Sequence, residues 1–439
     1  MEKIKVSVVM AVYNAEKYLN QAMDTIVNQT LRDIEIICVN DMSTDDSLAI
    51  LKEYAEADSR IRIFQHTEKT DDAAAARNMG ISKARGEYLS VLDADDFFEL
   101  DMLEKAYNKA IRTRADIVAY EAWFYKNANG SDEWAPWVLR KDLLPEQEVF
   151  SGVDCPNVIF NIVMGAAWNC MFRREFIEKE GILFYSMHGQ DDEFFVLVSF
   201  ATARRITTVL EPFVHYRCDV SGGQHSKDCH WPMNGYLLPE RMKAELENRG
   251  IYEEYWMAFA NKAIMLSKWT LEQMHPFSNF AELSEQLSSR YLREWRADRI
   301  PTSNLIEADF NDWRKEAIDS SPSELIDRYY LKKLLGEEAE QLLRGMPWGS
   351  KVIVYGAGDR GRKVFKWLFS FKWITLVGWA DQNYDSIGFP VMSPDALKEM
   401  KFDYVVAAVE KEETFLAVKD HLVKMRIPVK KILWLGHIS

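Results

Sequence analysis

Three groups of carboxylates stand out for what they could bind or move. Asp93, Asp95 and Asp96 close the run "LSVLDADDFF" (89–98), Asp41 sits in "CVNDMSTDDS", and Asp191 and Asp192 sit in "HGQDDEFF". Like charges at the spacing of the first group repel, so something positive belongs among them. A D-x-D pair on a tight turn can aim two carboxylates at one point. Hard oxygen ligands of that kind suit Mg²⁺ or Mn²⁺, which fills the rest of its shell with substrate phosphates. A plainer reading competes, because acids that follow a strand cap the next helix, as Asp96, Glu99 and Asp45 would here.

The elements that must position these acids can be read from the pattern around them. Apolar, β-branched-rich runs at 5–13, 34–40, 60–64, 87–93 and 115–120 read as strands, and "EKYLNQAMDTIVNQ" and "DDSLAILKEYAEA" read as helices between them. Alternation of that kind predicts β-α-β units and an α/β fold with a doubly wound, mostly parallel sheet. Ligands of such sheets bind beyond the carboxyl ends of the strands, where Asp41 and Asp93-Ala94-Asp95 fall. The pair Asp191 and Asp192 is read as a third strand-end station. Residues 121–230 are less regular and rich in aromatics, with Trp123, Phe124, Tyr125, Trp134 and Trp137 crowding one loop as a candidate wall for a sugar ring or as ordinary packing. Residues 235–345 read as helical, "RGMPWGSK" (344–351) reads as a linker, and a second strand–turn–helix opens after it. Three parts are expected: 1–230, a helical 231–345, and a small α/β part at 346–439.

Bulk properties narrow the function classes. The chain of 439 residues carries a net charge of −14, which argues against a nucleic-acid binder. Five cysteines, none two residues apart, fit reduced thiols in a cytoplasmic protein better than a disulfide framework or a zinc site. The start "MEKIKVSVVMAVYN" is neither a signal peptide nor a transmembrane helix, and no run of about 18 apolar residues occurs.

The first 225 or so residues resemble glycosyltransferase family 2, with its GT-A fold. "VSVVMAVYNAEKYLNQAMDTIVNQTL" is similar to that family's opening strand and helix, and "VNDMSTDDS" to its V-N-D-G-S-T-D-x-S segment, with Met42 where Gly is usual. "AAAARNMGISKARGEYLSVLDADDFF" is similar to its A-R-N-x-G to D-x-D-D stretch. "AAWNCMFRREFI" has Cys170 in place of a usual Lys, and "HGQDDEFF" has Gln190 in place of a usual Glu. The resemblance implies a nucleotide pocket lined by Ala11 and Tyr13, with Tyr13 stacked on the base and Asp41 accepting the N3–H of uracil. Arg77 would lie beside the donor; its plainer reading is an ion pair with Asp41 or Asp93. Asp93 would contact the ribose and the metal through water, Asp95 would bind the Mn²⁺ or Mg²⁺, and Asp191 would be the general base, with Asp192 its rival. Arg217 would reach the diphosphate, and His215 or His225 would add a metal ligand.

In the last part, Gly356-x-Gly358-x-x-Gly361 follows a strand and opens a helix, and Asp381 ends the next strand. That is the context of a phosphate-cradling turn with a ribose-binding acid, and the part resembles small Rossmann-like nucleotide-binding folds. The combined expectation is an inverting, metal-dependent transfer from a UDP-sugar donor to a glycan or lipid-linked glycan acceptor, in bacterial surface polysaccharide synthesis. It includes peripheral association with the inner face of the cell membrane and a homo-oligomer as further expectations. The competing expectations are a nucleotide-sugar oxidoreductase or epimerase working through the C-terminal glycine turn, and a non-catalytic nucleotide-sugar-binding scaffold.

Overall fold

The computed structural model describes residues 3–67, 70, 73–187, 190–217, 234–273, 283–319, 346–347, 349–368, 374–387, 390–409 and 411–434. They form two compact units, Met1–Asp319 and Ser320–Ser439.

The larger unit opens with strand β1 (Val6–Val12), helix α1 (Glu16–Val27), β2 (Ile34–Asn40), α2 (Ser47–Ala57), β3 (Ile61–Gln65), α3 (Ala74–Lys83) and β4 (Tyr88–Asp93). β1 and β2 are buried along both faces, and largely apolar, because helices cover both sides of a parallel sheet. α1 buries Leu19, Ala22, Met23 and Ile26, the i, i+3, i+4, i+7 stripe of an amphipathic helix. Then come β5 (Phe97–Phe98), α4 (Met102–Thr113), β6 (Ile117–Lys126), β7 (Ser131–Trp134), β8 (Cys170–Arg173), α5 (Arg174–Glu180), α6 (Asp191–Thr202) and β9 (Ile206–Arg217).

The sheet runs β3-β2-β1-β4-β8-β6-β9-β5, with β7 on β6. β1 to β4 pair with one another in parallel, and β8 is antiparallel to both β4 and β6. The "less regular" stretch therefore holds β7, β8, β9 and the second half of β6, all strands of this sheet. Helices α7 (Asn234–Asn248), α8 (Tyr252–Gln273) and α9 (Phe310–Asp319) complete this unit. Among the described residues, no helix is long and apolar enough to cross a membrane. Cys38, Cys155 and Cys170 are free and buried, and Cys218 and Cys229 lie outside the described residues.

The smaller unit has strands β10 (Ser350–Tyr355), β11 (Ile374–Ala380), β12 (Tyr404–Ala407) and β13 (Ile432–Trp434), and helices α10 (Asp359–Leu368) and α11 (Glu412–Lys424). All its strand pairs are parallel, in the order β11-β10-β12-β13. Val352, Val354 and Val406 face one apolar layer, and Ile353, Val405 and Ala407 the other.

Candidate active site

The register of the parallel strands brings the N-terminal candidates to one edge. Ala11 pairs with Val39 on one side and Asp93 on the other, and Val12 pairs with Asn40. Asp41 is thus the first residue past β2, and Asp93 is the last of β4. Tyr13 follows β1 with 41% of its surface exposed. Met42, where the segment usually has Gly, takes φ +57°, a left-handed conformation that costs an L side chain about 1–2 kcal/mol. Asp41 is buried, and its carboxylate accepts hydrogen bonds from the Thr70 hydroxyl at 2.6 Å and from the Thr70 N–H at 3.4 Å.

Arg77 joins two of the acid stations. It lies on α3, which packs so closely on β1 that a Cβ at Gly80 would come within 2.4 Å of Val9 Cγ1. Its Nη2 donates to Asp93 Oδ1 at 2.8 Å and its Nη1 to Asp191 Oδ2 at 2.6 Å, across 114 residues of sequence. Burial pulls this guanidinium down, but the charges of Asp191, Asp93 and Asp192 outweigh burial and hold it well above its ordinary pKa. The ion pair with Asp93 expected from the plainer reading is present; the partner Asp191 was not foreseen.

Asp191 and Asp192 do not stand at a strand end as the sequence suggested. They begin helix α6, with Gln190 at its N-cap position, where acids meet the positive end of the helix dipole. Burial, and then Asp191, Asp93 and Glu193, push the Asp192 carboxyl up against the pull of Arg77.

Asp93, Asp95 and Asp96 each present a carboxylate oxygen within 4.8 Å of the others. Burial and then the charge of Asp93 push Asp95 up to about 6, and burial and then Asp95 and Asp93 hold Asp96 well above its ordinary value. One oxygen of Asp96 is buried with no hydrogen-bond partner. Three crowded hard-oxygen donors that are short of positive charge fit a divalent cation. Asp96 is not the helix cap expected of it. Its other oxygen accepts from the backbone N–H of Arg217 at 2.8 Å, and Asp101 holds the N-cap position of α4.

Two further candidates are occupied elsewhere. His215 stacks on Phe97 at 4.2 Å, and its ring nitrogens face Asp132 Oδ1 at 2.8 Å and Glu99 Oε1 at 3.1 Å. Arg217 is buried among the rings of Tyr18, Phe97 and Tyr125, at 4.8, 5.0 and 4.9 Å, and bonds to Gln21 and Asn127. It anchors β9 beneath the acids. His225 lies outside the described residues.

In the smaller unit, the glycine turn does follow β10 and open α10. Gly356 takes φ +109°, and Asp381, just past β11, accepts from the N–H of Ala357 at 2.6 Å. The acid is tied to the turn itself.

Sequence reasoning missed Lys262 of α8, which is 1% exposed and pairs with Glu193 in the first turn of α6 at 2.7 Å. The signal was a single Lys on the helix face that otherwise buries Tyr255, Phe259 and Leu266.

Residues 7–181 match the family model "Glycosyl transferase family 2". The chain is 33% identical over 265 residues to the cholesterol galactosyltransferase of Borreliella burgdorferi, covering 58% of this chain and 71% of that protein. It is 30% identical over 284 residues to glycosyltransferase EpsH of Bacillus subtilis, covering 61% and 78%. Among solved structures, S. aureus TarS 1-349 in complex with UDP superposes with a TM-score of 0.55 at 16% identity, over 74% of this chain and 91% of that one, a likeness of fold. The acid-lined edge of the sheet thus sits in a GT-A fold, and with relatives that this chain spans for most of their length, it belongs to glycosyltransferase family 2 and is a glycosyltransferase.

Proposed function

We propose that the chain moves a sugar from a UDP-sugar to a hydroxyl of a glycan or lipid-linked glycan, with inversion at the anomeric carbon, in bacterial surface polysaccharide synthesis. The observation that carries this reading is the Arg77 bridge, which brings the strand-end acid Asp93 and the helix-start acid Asp191 to one guanidinium.

In this reading Tyr13 stacks on the uracil ring beside Ala11. Asp41 accepts the uracil N3–H in place of the Thr70 hydroxyl that donates to it here. Cytosine presents an acceptor at that position, and two acceptors face to face disfavour a CDP donor. Asp95 and Asp93 would hold Mn²⁺ or Mg²⁺, which when bound offsets charge on the departing diphosphate as a Lewis acid. Phosphate oxygens are strong bidentate partners for a guanidinium, so a bound diphosphate competes for Arg77 and frees Asp191. Asp191 then takes the proton of the acceptor hydroxyl. The acceptor oxygen bonds to the anomeric carbon from the face opposite the diphosphate, and the carbon–oxygen bond to phosphate breaks with its electron pair leaving on UDP. An α-linked donor gives a β-linked product.

The test is UDP release from a panel of UDP-, GDP-, CDP- and dTDP-sugars, with Mn²⁺ or with EDTA, by wild type, Asp95→Ala and Asp191→Asn. Release from a UDP-sugar alone, abolished by EDTA and by both substitutions, is the expected result. Turnover that survives both substitutions overturns the mechanism, and loss with Asp192→Asn but not Asp191→Asn moves the base by one residue.

A further inference from the structure

The buried ammonium of Lys262 has no role in the steps above, yet its side chain reaches the helix that carries Asp191. Lys262 is 1% exposed, and its Nζ donates to Glu193 Oε1 at 2.7 Å and to the carbonyl oxygen of Met164 at 3.1 Å. Glu193 lies in the first turn of α6, two residues after Asp191. The next residue after Met164 is Gly165, with φ +106°; a Cβ there would stand 2.6 Å from Glu193 Cγ and 3.1 Å from Glu193 Oε1. Glu193 is therefore held between a glycine that leaves room for nothing larger and a cation from another helix.

α8 is itself fixed. Tyr255 packs on Gly152 so tightly that a Cβ there would meet its hydroxyl at 2.5 Å, and it meets Phe160 edge to face at 5.9 Å. Asn261 donates to the carbonyl of Asn304 at 3.0 Å. A buried charge is costly unless paired, so the Lys262–Glu193 contact restrains both partners to one arrangement.

We propose that Lys262, through Glu193 and the Met164–Gly165 turn, is a positioning residue that sets the first turn of α6 and so the direction in which Asp191 presents its carboxylate. The proposal rests on the reading of Asp191 as the base. Misplacing a reacting group by about 1 Å can cost about 100-fold in rate. The helices that follow the nucleotide-binding sheet then act in the transfer step, although none of their described residues is assigned to the donor.

The test separates orientation from stability. Replacing a buried ion pair by apolar residues of similar size is often neutral for stability, whereas removing one partner is not. Lys262→Met and Lys262→Met/Glu193→Leu are compared with wild type for UDP-sugar hydrolysis, UDP binding, melting temperature and hydrogen exchange of the segment that begins α6. Expected is a melting temperature lowered in the single variant and recovered in the double. In both, kcat falls about 10- to 100-fold, the donor KM and UDP affinity stay within about twofold, and exchange at the start of α6 is faster. Recovery of kcat and of protection together with the melting temperature in the double variant overturns the proposal and leaves the pair a stability element. Asp191→Asn distinguishes the two failures. If it keeps turnover, the assignment of the base fails; if it is inactive while the double variant turns over as wild type, only the positioning role fails.

Discussion

Asp95 is the residue whose ionisation reports most directly on the acid cluster. Burial and then Asp93 hold its carboxyl up to about 6, above the ordinary aspartate value of about 3.9. The folded protein therefore keeps a proton there that the unfolded chain has lost, and without a cation its stability falls as pH rises between those values. Asp96, raised by burial and by Asp95, adds to the same slope. A cation that binds the deprotonated cluster reverses this by mass action, by about 2.7 kcal/mol at a concentration 100 times its dissociation constant. The expected outcome is a Mn²⁺-dependent rise in melting temperature that is small at pH 5 and large at pH 7.5. Asp95→Asn should melt higher than wild type at pH 7.5 without metal and gain little from Mn²⁺. A Mn²⁺ increment indifferent to both pH and the substitution would place the cation elsewhere.

At the scale of elements, the seam between β1, β2 and the turn before β4 depends on a buried carboxylate of opposite behaviour. Glu35 on β2 is 2% exposed and accepts from Ser7 Oγ at 2.7 Å, the Arg85 N–H at 2.6 Å and the guanidinium groups of Arg85 and Arg62 at 2.8 Å. Burial raises its pKa, but the hydrogen bonds from Ser7, Arg85 and Arg62 outweigh burial and leave it below the ordinary value. Its contribution is present above the unfolded value of about 4.3 and lost as pH falls through the lower folded value. Glu35→Ala should cost about 1–3 kcal/mol at pH 7, because the Ser7 hydroxyl and the Arg85 N–H lose their acceptor while the two guanidinium groups turn to solvent. Read by urea unfolding, the deficit should narrow as pH drops toward 3.5, and a deficit independent of pH would mean packing, not charge. None of this seam was legible in the sequence, because Ser7, Arg62 and Arg85 lie 28, 27 and 50 residues from Glu35 along the chain. β1, β2 and β4 were legible because strands covered on both faces are near-continuous apolar runs, and the edge strand β3 because its Ile61 and Ile63 alternate with Arg62 and Phe64. β8 and β9 were not, since β8 has four residues between a 3-10 turn and a helix, and β9 exposes Leu210 and Glu211 in its middle. His215 and Arg217 looked like ligands because their partners, Asp132, Glu99, Tyr18, Phe97 and Tyr125, come from distant segments that only the fold assembles.

For the whole molecule, the open question is what the smaller unit does for a glycosyltransferase, and its glycine turn offers a way to ask. The three glycines are not equivalent. A Cβ at Gly361 would lie 1.9 Å from the carbonyl oxygen of Gly356, so Gly361→Ala forces the backbone apart. A Cβ at Gly358 meets nothing within 4 Å, so the fold accepts a larger residue there. If the turn cradles a nucleotide or nucleotide sugar, as its place between β10 and α10 suggests, the space above Gly358 belongs to the ligand. Gly358→Val should then melt as wild type without ligand but lose the response to it. The measurement is the melting temperature of Asp95→Ala, in which the acid cluster is disabled, with UDP, UDP-sugars or NAD(P). A ligand-dependent rise that persists in Asp95→Ala and vanishes in Asp95→Ala/Gly358→Val assigns a second nucleotide site to this unit. A rise with NAD(P) alone would favour redox chemistry at the turn. A protein indifferent to all of these, with Gly358→Val matching wild type in sugar transfer, would mean that the glycines serve only the close packing that Gly361 requires.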